Sequence, residues 1–255
     1  MVTNESFYTD EITSKSFTEL KNLSKWMNKN YKKFPTVIGG WAVWCYYDKG
    51  FRSRDIDLVL QNYKTVEKIL YNQYFPHFGV EKYRMGLLGQ EYYAKKTVTK
   101  KGNEKIIFDI FYGGIMREDR ERLGVIVDWK WIIANQIKNK FDDTFIYVPK
   151  PELLLTLKMI AVLSRNRSRL IQKETDYTRS KIWKDYYDIA ILIQNAPIAK
   201  TRLLKFLKMT HFTKKLLLDC EFGYEGQLGV SALERANVSI STITDFFKQY
   251  AKIIK

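Results

Sequence analysis

Residues Arg54–Leu60 read RDIDLVL. Charged and apolar residues alternate at the start of this stretch, which is the period of a β-strand. Side chains two apart on a strand share a face, so Asp55 and Asp57 stand together, their Cα atoms some ~6–7 Å apart, while Ile56 and Leu58 turn the other way, toward a core. Two carboxylates so placed repel each other unless a cation lies between them. A hard dication such as Mg²⁺ takes oxygen ligands and keeps positions open for phosphate oxygens. Acid pairs at strand ends are often merely solvated, so the flanking sequence must decide.

Upstream, TVI (36–38) is a short β-branched run ending at Gly39-Gly40, and WAVWCYYDKG (41–50) reads as a helix closed by Gly50. Two glycines let the backbone approach a bulky anion, and a helix start offers N–H groups to phosphate. Farther upstream, SFTELKNLSKWMNKNYKK (16–33) places Phe17, Leu20, Leu23 and Trp26 at helical spacing. Downstream, residues 62–74 are expected to be helical. QEYYAKKTVTK (90–100), EKIIFDIFY (104–112) and TFIYVP (144–149) are strand candidates, with a hairpin turn at Gly102-Asn103. The second of these strands carries a lone acid, Asp109, between isoleucine and phenylalanine pairs. An acid buried there without a partner is costly, so it is either a strand-edge residue facing water or a ligand beside the Asp55–Asp57 strand.

After Pro149 and Pro151 the character changes. ELLLTLKMIAVLS, KIWKDYYDIAILIQ, KTRLLKFLKM and STITDFFKQYAKII all carry helical periods, and strand signals stop. The expected architecture is α+β, with a mixed β-sheet flanked by helices over 1–149 and a helical bundle over 150–255. The polar, basic stretch 164–179 reads as a mobile loop, and GYEGQLG (223–229) as a flexible turn.

Lys and Arg number 43 against 28 Asp and Glu, a net charge of +15, of which residues 150–255 carry +9. Such an excess suits polyanions, although it is spread along the chain and equally fits a Lys-rich background. Arg165, Arg167 and Arg169 alternate with polar residues and read either as a solvated charge run or as contacts to nucleic-acid phosphates. The two cysteines, Cys45 and Cys220, show no metal or disulfide spacing. His77 and His211 are isolated. The opening residues lack the apolar segment of a secretory signal, and no run reaches the ~18 apolar residues of a membrane span. A cytoplasmic protein without membrane partners is expected.

VIGG (37–40), DIDL (55–58) and FDI (108–110), in that order, resemble the core motifs of the DNA polymerase β-type nucleotidyltransferase superfamily. LLTLKMIAVLSRNR followed by KDYYDIAIL is similar to its AbiEii-like branch, which includes toxins of toxin–antitoxin systems. The resemblance implies a nucleotidyltransferase-fold domain followed by a helical acceptor-binding domain. It implies Mg²⁺ (or Mn²⁺) on Asp55, Asp57 and Asp109, and a nucleoside triphosphate co-substrate, ATP among the candidates, admitted by Gly39 and Gly40. Ser53 and Arg54 would assist phosphate binding. Lys158 and Asp185 map to the branch's helical motifs and would join the catalytic set; Lys184 and Asp188 fall in the same motif, Asp188 more as a helix salt bridge.

Two departures stand out: Trp41 follows the glycines where many members have Ser after the first, and Phe51 holds a position often taken by Arg, with Arg52 and Arg54 nearby. The expected reaction is nucleotide transfer to a tRNA end or a protein hydroxyl, with a cognate antitoxin as a further partner. The alternatives are a small-molecule acceptor and a degenerate, binding-only member.

Overall fold

The computed structural model describes residues 10–47, 51–85, 91–115, 123–171 and 175–254. Gly50, expected to close the second helix, and the side chain of Arg169 lie outside the described part. The described residues form two compact units. One comprises 10–114 and 128–150, the other 115, 123–127 and 151–254.

The first unit is built on a seven-stranded mixed sheet. Its strands are β1 (Thr36–Ile38), β2 (Ile56–Leu60), β3 (Val80–Met85), β4 (Glu91–Thr99), β5 (Gly102–Tyr112), β6 (Gln136–Phe141) and β7 (Thr144–Pro149), in the spatial order β3-β4-β5-β2-β1-β7-β6. β2 runs parallel to β5 and antiparallel to β1, so RDIDLVL occupies the middle of the sheet. Ile56, Leu58, Phe108 and Ile110 are buried. Phe108 packs on Phe75, 5.3 Å between ring centroids, from the helical run Tyr63–Phe78. By alternation, Asp57 and Asp109 point to the opposite face.

The long helix Asp10–Tyr31 packs on β4, β5 and β7. Its buried Glu19 accepts from Tyr74 Oη at 2.9 Å and from Lys95 Nζ at 2.6 Å, so the burial of its charge is compensated. The helix after β1 is short, Gly39–Trp44.

Three elements depart from the sequence expectation. β3 and β6 were not anticipated; both lie at the sheet edges, where VEKYRM and QIKNKF keep the lysines that discourage edge pairing. The hairpin turns on Lys100 and Lys101, because Thr99 pairs with Gly102, which enters β5 at φ +104.

The second unit is helical: Pro151–Ile171, Asp176–Asn195, Lys200–Met209, Lys214–Phe222, Gln227–Ala236 and Ile240–Ala251. The buried Val125 and Val127 belong with it, and the Ile126 N–H donates to the Thr210 carbonyl at 3.0 Å. The expected mobile loop at 164–179 is helix from both sides, through Ile171 and again from Asp176, with Thr175 capping the second helix through the Thr178 N–H. Its arginines are good helix formers, so its polarity does not mark a break.

GYEGQLG is likewise ordered, as a 3₁₀ turn (Gly223–Glu225) running into the helix Gln227–Ala236. Its glycines are dictated by close packing. A Cβ on Gly229 would stand 2.5 Å from both the Gly223 carbonyl oxygen and Tyr224 Cα, which are backbone atoms with little room to retreat. Gly229→Ala is therefore expected to destabilise the chain by roughly 1–3 kcal/mol through overpacking, read as a lowered midpoint in thermal or urea unfolding. An unchanged midpoint would contradict this packing.

Candidate active site

The β2–β5 pairing sets the site. Asp57 and Asp109 are direct register partners on adjacent parallel strands, which places their Cα atoms on the order of 4.8 Å apart with both side chains on one face. Each is half-buried. On its other side Asp57 pairs with Ile38, the last residue of β1. The chain then turns at Gly39, with φ +69, and a Cβ there would stand 1.9 Å from Asp57 Oδ2. Gly39 is thus required twice, by its left-handed backbone and by the carboxylate against it. Gly40 follows, buried, as the second residue of the short helix.

Asp55 directly precedes β2 and is almost wholly buried, and the Oδ1 atoms of Asp55 and Asp109 are both shut off from solvent. Among the described residues no three His, Cys, Asp or Glu side chains form a ready-made cluster around a single ion. The structure therefore brings Asp57 together with Asp109 and Gly39, and leaves Asp55 as the next acid along the same chain segment. The donor set is all carboxylate oxygen, the chemistry of a hard dication.

The neighbouring residues resolve the two departures seen in the sequence. Trp41 does not crowd the glycines. It is fully buried, donates from Nε1 to Ser16 Oγ at 3.1 Å, and packs with Phe17, Trp44 and Phe141. Arg52 donates to Ser14 Oγ at 3.2 Å and lies over the Phe17 ring. Ser53 is buried. Arg54 donates from Nε to the Lys105 carbonyl at 3.2 Å and pairs with Glu104 at 3.5 Å, so a phosphate would have to compete with Glu104 for its guanidinium.

In the helical unit, Lys158 and Asp185 are joined directly, Nζ to Oδ1 at 3.0 Å. Lys158 also lies 2.7 Å from Asp188 Oδ2. Lys184 bonds Asp188 one helical turn away, and Arg165 bonds the second oxygen of Asp185. The result is an alternating chain, Arg165–Asp185–Lys158–Asp188–Lys184, of three cations and two acids. All but Arg165 are buried. Lys158 is buried, and its two acids make that possible. Lys184 was legible in the motif and in its one-turn spacing from Asp188, whereas Arg165 sat in a run that reads equally as solvated charge.

Burial pushes the Lys184 ammonium down to about 8; Asp188 opposes the fall, while Lys158 and Lys181 add to it. Cys45 is pushed up to about 12 by burial, which makes it unreactive as a thiolate.

Residues 33–218 match the family described as nucleotidyl transferase AbiEii toxin, Type IV TA system. Among solved structures, an antigenic nucleotidyltransferase-like protein from Paracoccidioides brasiliensis is similar in fold. Its TM-score is 0.51 at 16% identity, over 92% of this chain and 97% of that one. A protein from H. pylori described as a nucleotidyltransferase aligns over 97% of this chain and 99% of its own, with TM-score 0.39 and 11% identity. No curated protein matches in sequence. No described helix is long and apolar enough to cross a membrane.

Two outcomes follow from this geometry. Gly39→Ala is expected to lower the unfolding midpoint, by roughly 1–3 kcal/mol of stability, because the methyl group and the Asp57 carboxylate cannot both stay. For Lys184 the folded state holds its proton less tightly than the unfolded chain. Stability relative to Lys184→Met should therefore rise as pH climbs from about 8 toward the ordinary lysine range. Urea unfolding of both proteins across that window gives the slope, and a flat difference would refute the depressed value.

Proposed function

The chain belongs to the AbiEii nucleotidyl transferase toxin family, and from that premise we propose that it moves a nucleoside monophosphate from a nucleoside triphosphate to a macromolecular acceptor, a tRNA end or a protein hydroxyl. The observation that carries the reading is the in-register Asp57–Asp109 pair, with the Asp57 carboxylate set against the Gly39 turn. An acid pair held this close on one sheet face suits a site that takes cationic charge, and the glycine turn beside it suits an approaching polyphosphate.

In this reading Asp55, Asp57 and Asp109 hold Mg²⁺ or Mn²⁺, which when bound stabilises charge on the attacking and departing oxygens of an in-line displacement. Asp109 draws the proton from the acceptor hydroxyl as its oxygen bonds the α-phosphorus. The α–β bridging P–O bond breaks, and pyrophosphate leaves. Gly39 and Gly40 admit the triphosphate through backbone contact, with Ser53 assisting and Arg54 joining once it leaves Glu104. On the family motif, Lys158, held by Asp185 within the helical unit, is assigned to the catalytic set. The family description places such proteins in Type IV toxin–antitoxin systems; we read this chain as the toxin, acting in the cytoplasm where triphosphates and RNA are found, with a cognate antitoxin as partner.

The test is transfer from each α-labelled triphosphate to total RNA and to a protein extract. Asp57→Ala, Asp109→Asn and excess chelator are each expected to cut labelling by at least ~10²-fold, and Lys158→Met to lower it strongly. Expression of the wild type in a bacterial host should arrest growth, and Asp57→Ala should not. Labelling that survives both chelation and Asp57→Ala would sink the mechanism. Labelling of a small hydroxylated compound alone would move the acceptor to the antibiotic-modifying class.

A further inference from the structure

The helical unit contains a half-open groove of about 790 Å³, lined by none of the residues assigned to the transfer reaction. This lies within the ~300–1,000 Å³ of sites that hold small ligands. Its walls differ in charge. Arg167, on the helix Pro151–Ile171, and Arg179, on the helix Asp176–Asn195, line it from one pair of elements. Asp219 and Glu225 line it from the Lys214–Phe222 helix and the turn that follows.

Phe222, also in the lining, is 68% exposed, the most exposed aromatic side chain among the described residues. Nothing in the packing of the described residues of this unit calls for a phenylalanine in water, since an exposed ring gives up the area that makes aromatics stabilising. The groove floor, by contrast, is fixed. Asn166 Nδ2 donates to Tyr186 Oη at 2.8 Å, Tyr224 Oη donates to the Tyr186 carbonyl at 2.8 Å, and a Cβ on Gly223 would collide with Tyr186 Oη at 1.9 Å.

Guanidinium groups, an exposed ring and carboxylates in one groove match a nucleotide. Phosphate pairs with arginine, a base stacks on the phenylalanine, and base amino groups donate to carboxylates. A purely anionic ligand, such as an acidic peptide, would gain from the arginines but meet Asp219 and Glu225. We propose that this groove binds a nucleotide unit of single-stranded RNA, with its base on Phe222 and its phosphate on Arg167 and Arg179. A half-open groove lets a strand enter and leave, which an enclosed pocket for a free nucleotide does not require.

The proposal rests on the transferase reading for its purpose, since it chooses RNA over protein as the acceptor class. The binding itself does not depend on that reading. Asn166 and Tyr186 of the floor directly follow Arg165 and Asp185 of the buried ion chain, so an occupied groove and that chain share the same two helices.

The experiment is fluorescence anisotropy of the full chain with a labelled mixed-sequence single-stranded RNA, in low salt, with no triphosphate and no divalent ion. The wild type should bind the single strand more tightly than the matching duplex. Phe222→Ala should weaken binding by roughly 5–100-fold, and Arg167→Gln with Arg179→Gln should weaken it and flatten its salt dependence. Phe222 is a surface residue, so its replacement should leave the unfolding midpoint unchanged, and that measurement accompanies each variant.

Equal affinity for duplex, no effect of Phe222→Ala, or displacement of the strand by stoichiometric free nucleoside monophosphate would each overturn the proposal. Asp57→Ala should bind the strand as the wild type does. Binding kept with transfer lost in every assay would leave the groove standing while the transferase reading fell; transfer to RNA undiminished in the Phe222 and arginine variants would do the reverse.

Discussion

Two carboxylates on neighbouring strands of one sheet face are an arrangement that folding by itself disfavours. With Cα atoms roughly 5 Å apart, a pair of unit charges at that spacing repels by about 3 kcal/mol at the effective dielectric of a partly buried site. The β2–β5 pairing is nonetheless held in that register, because the residues alternating with the acids leave no other. Ile56, Leu58, Phe108 and Ile110 are all buried on the opposite face, and burying each such side chain stabilises by about 1.5–3 kcal/mol. A one-residue slip would turn those four to the acid face and the acids into the core. The apolar side of the strands therefore dictates the acid side, and the acids stay together against their own repulsion. Everything near them follows: β1 ends opposite Asp57, and the chain can leave β1 only through a residue without a Cβ.

This explains why the first unit was the more legible. RDIDLVL, the glycine pair and IIFDIFY are local patterns whose period and composition state their faces directly, and the resulting order of strand, turn, strand and later strand was readable. The register joining Asp57 to Asp109 was not, since it lies in a pairing of residues about fifty positions apart. Edge strands β3 and β6 were missed for a related reason. VEKYRM and QIKNKF alternate weakly and carry lysine where a central strand would carry valine, because an edge strand is half-solvated and must resist pairing with other chains. Trp41 was hard to place for a further reason. It stood out as a departure from the family pattern, and its destination among Phe17, Trp44 and Phe141 depends on the helix Asp10–Tyr31, which no local pattern connects to it.

In the helical unit, polarity was the misleading signal. The stretch 164–179 has no long apolar run, and a reading that equates polarity with loop places a break there. The helix persists to Ile171 because arginine is a good helix former, and because Arg165 and Asn166 face the next helix with specific partners, Asp185 and Tyr186. Charge on a helix marks a solvated face only when its partners are water. Here the spacing that matters runs between two helices, and it becomes visible only once Lys158 is seen buried between two acids.

The buried ion chain and the groove floor meet at consecutive residues, and their energetics differ in kind. Asp188 is fully buried and holds two lysines, so removing that acid takes a buried counter-charge from both, a loss of about 3–5 kcal/mol. Such a chain is rigid, as each ion holds the next. Tyr186 is fixed by two neutral hydrogen bonds and by a glycine that its hydroxyl forbids from carrying a side chain; each bond contributes about 1 kcal/mol. Asp185 and Tyr186 share a backbone, so the rigid partner sets the position of the other. The aromatic floor cannot shift along its helix without dragging Asp185 off both Lys158 and Arg165. A groove so anchored is pre-organised, and a ligand settling into it has little ordering of the protein left to do.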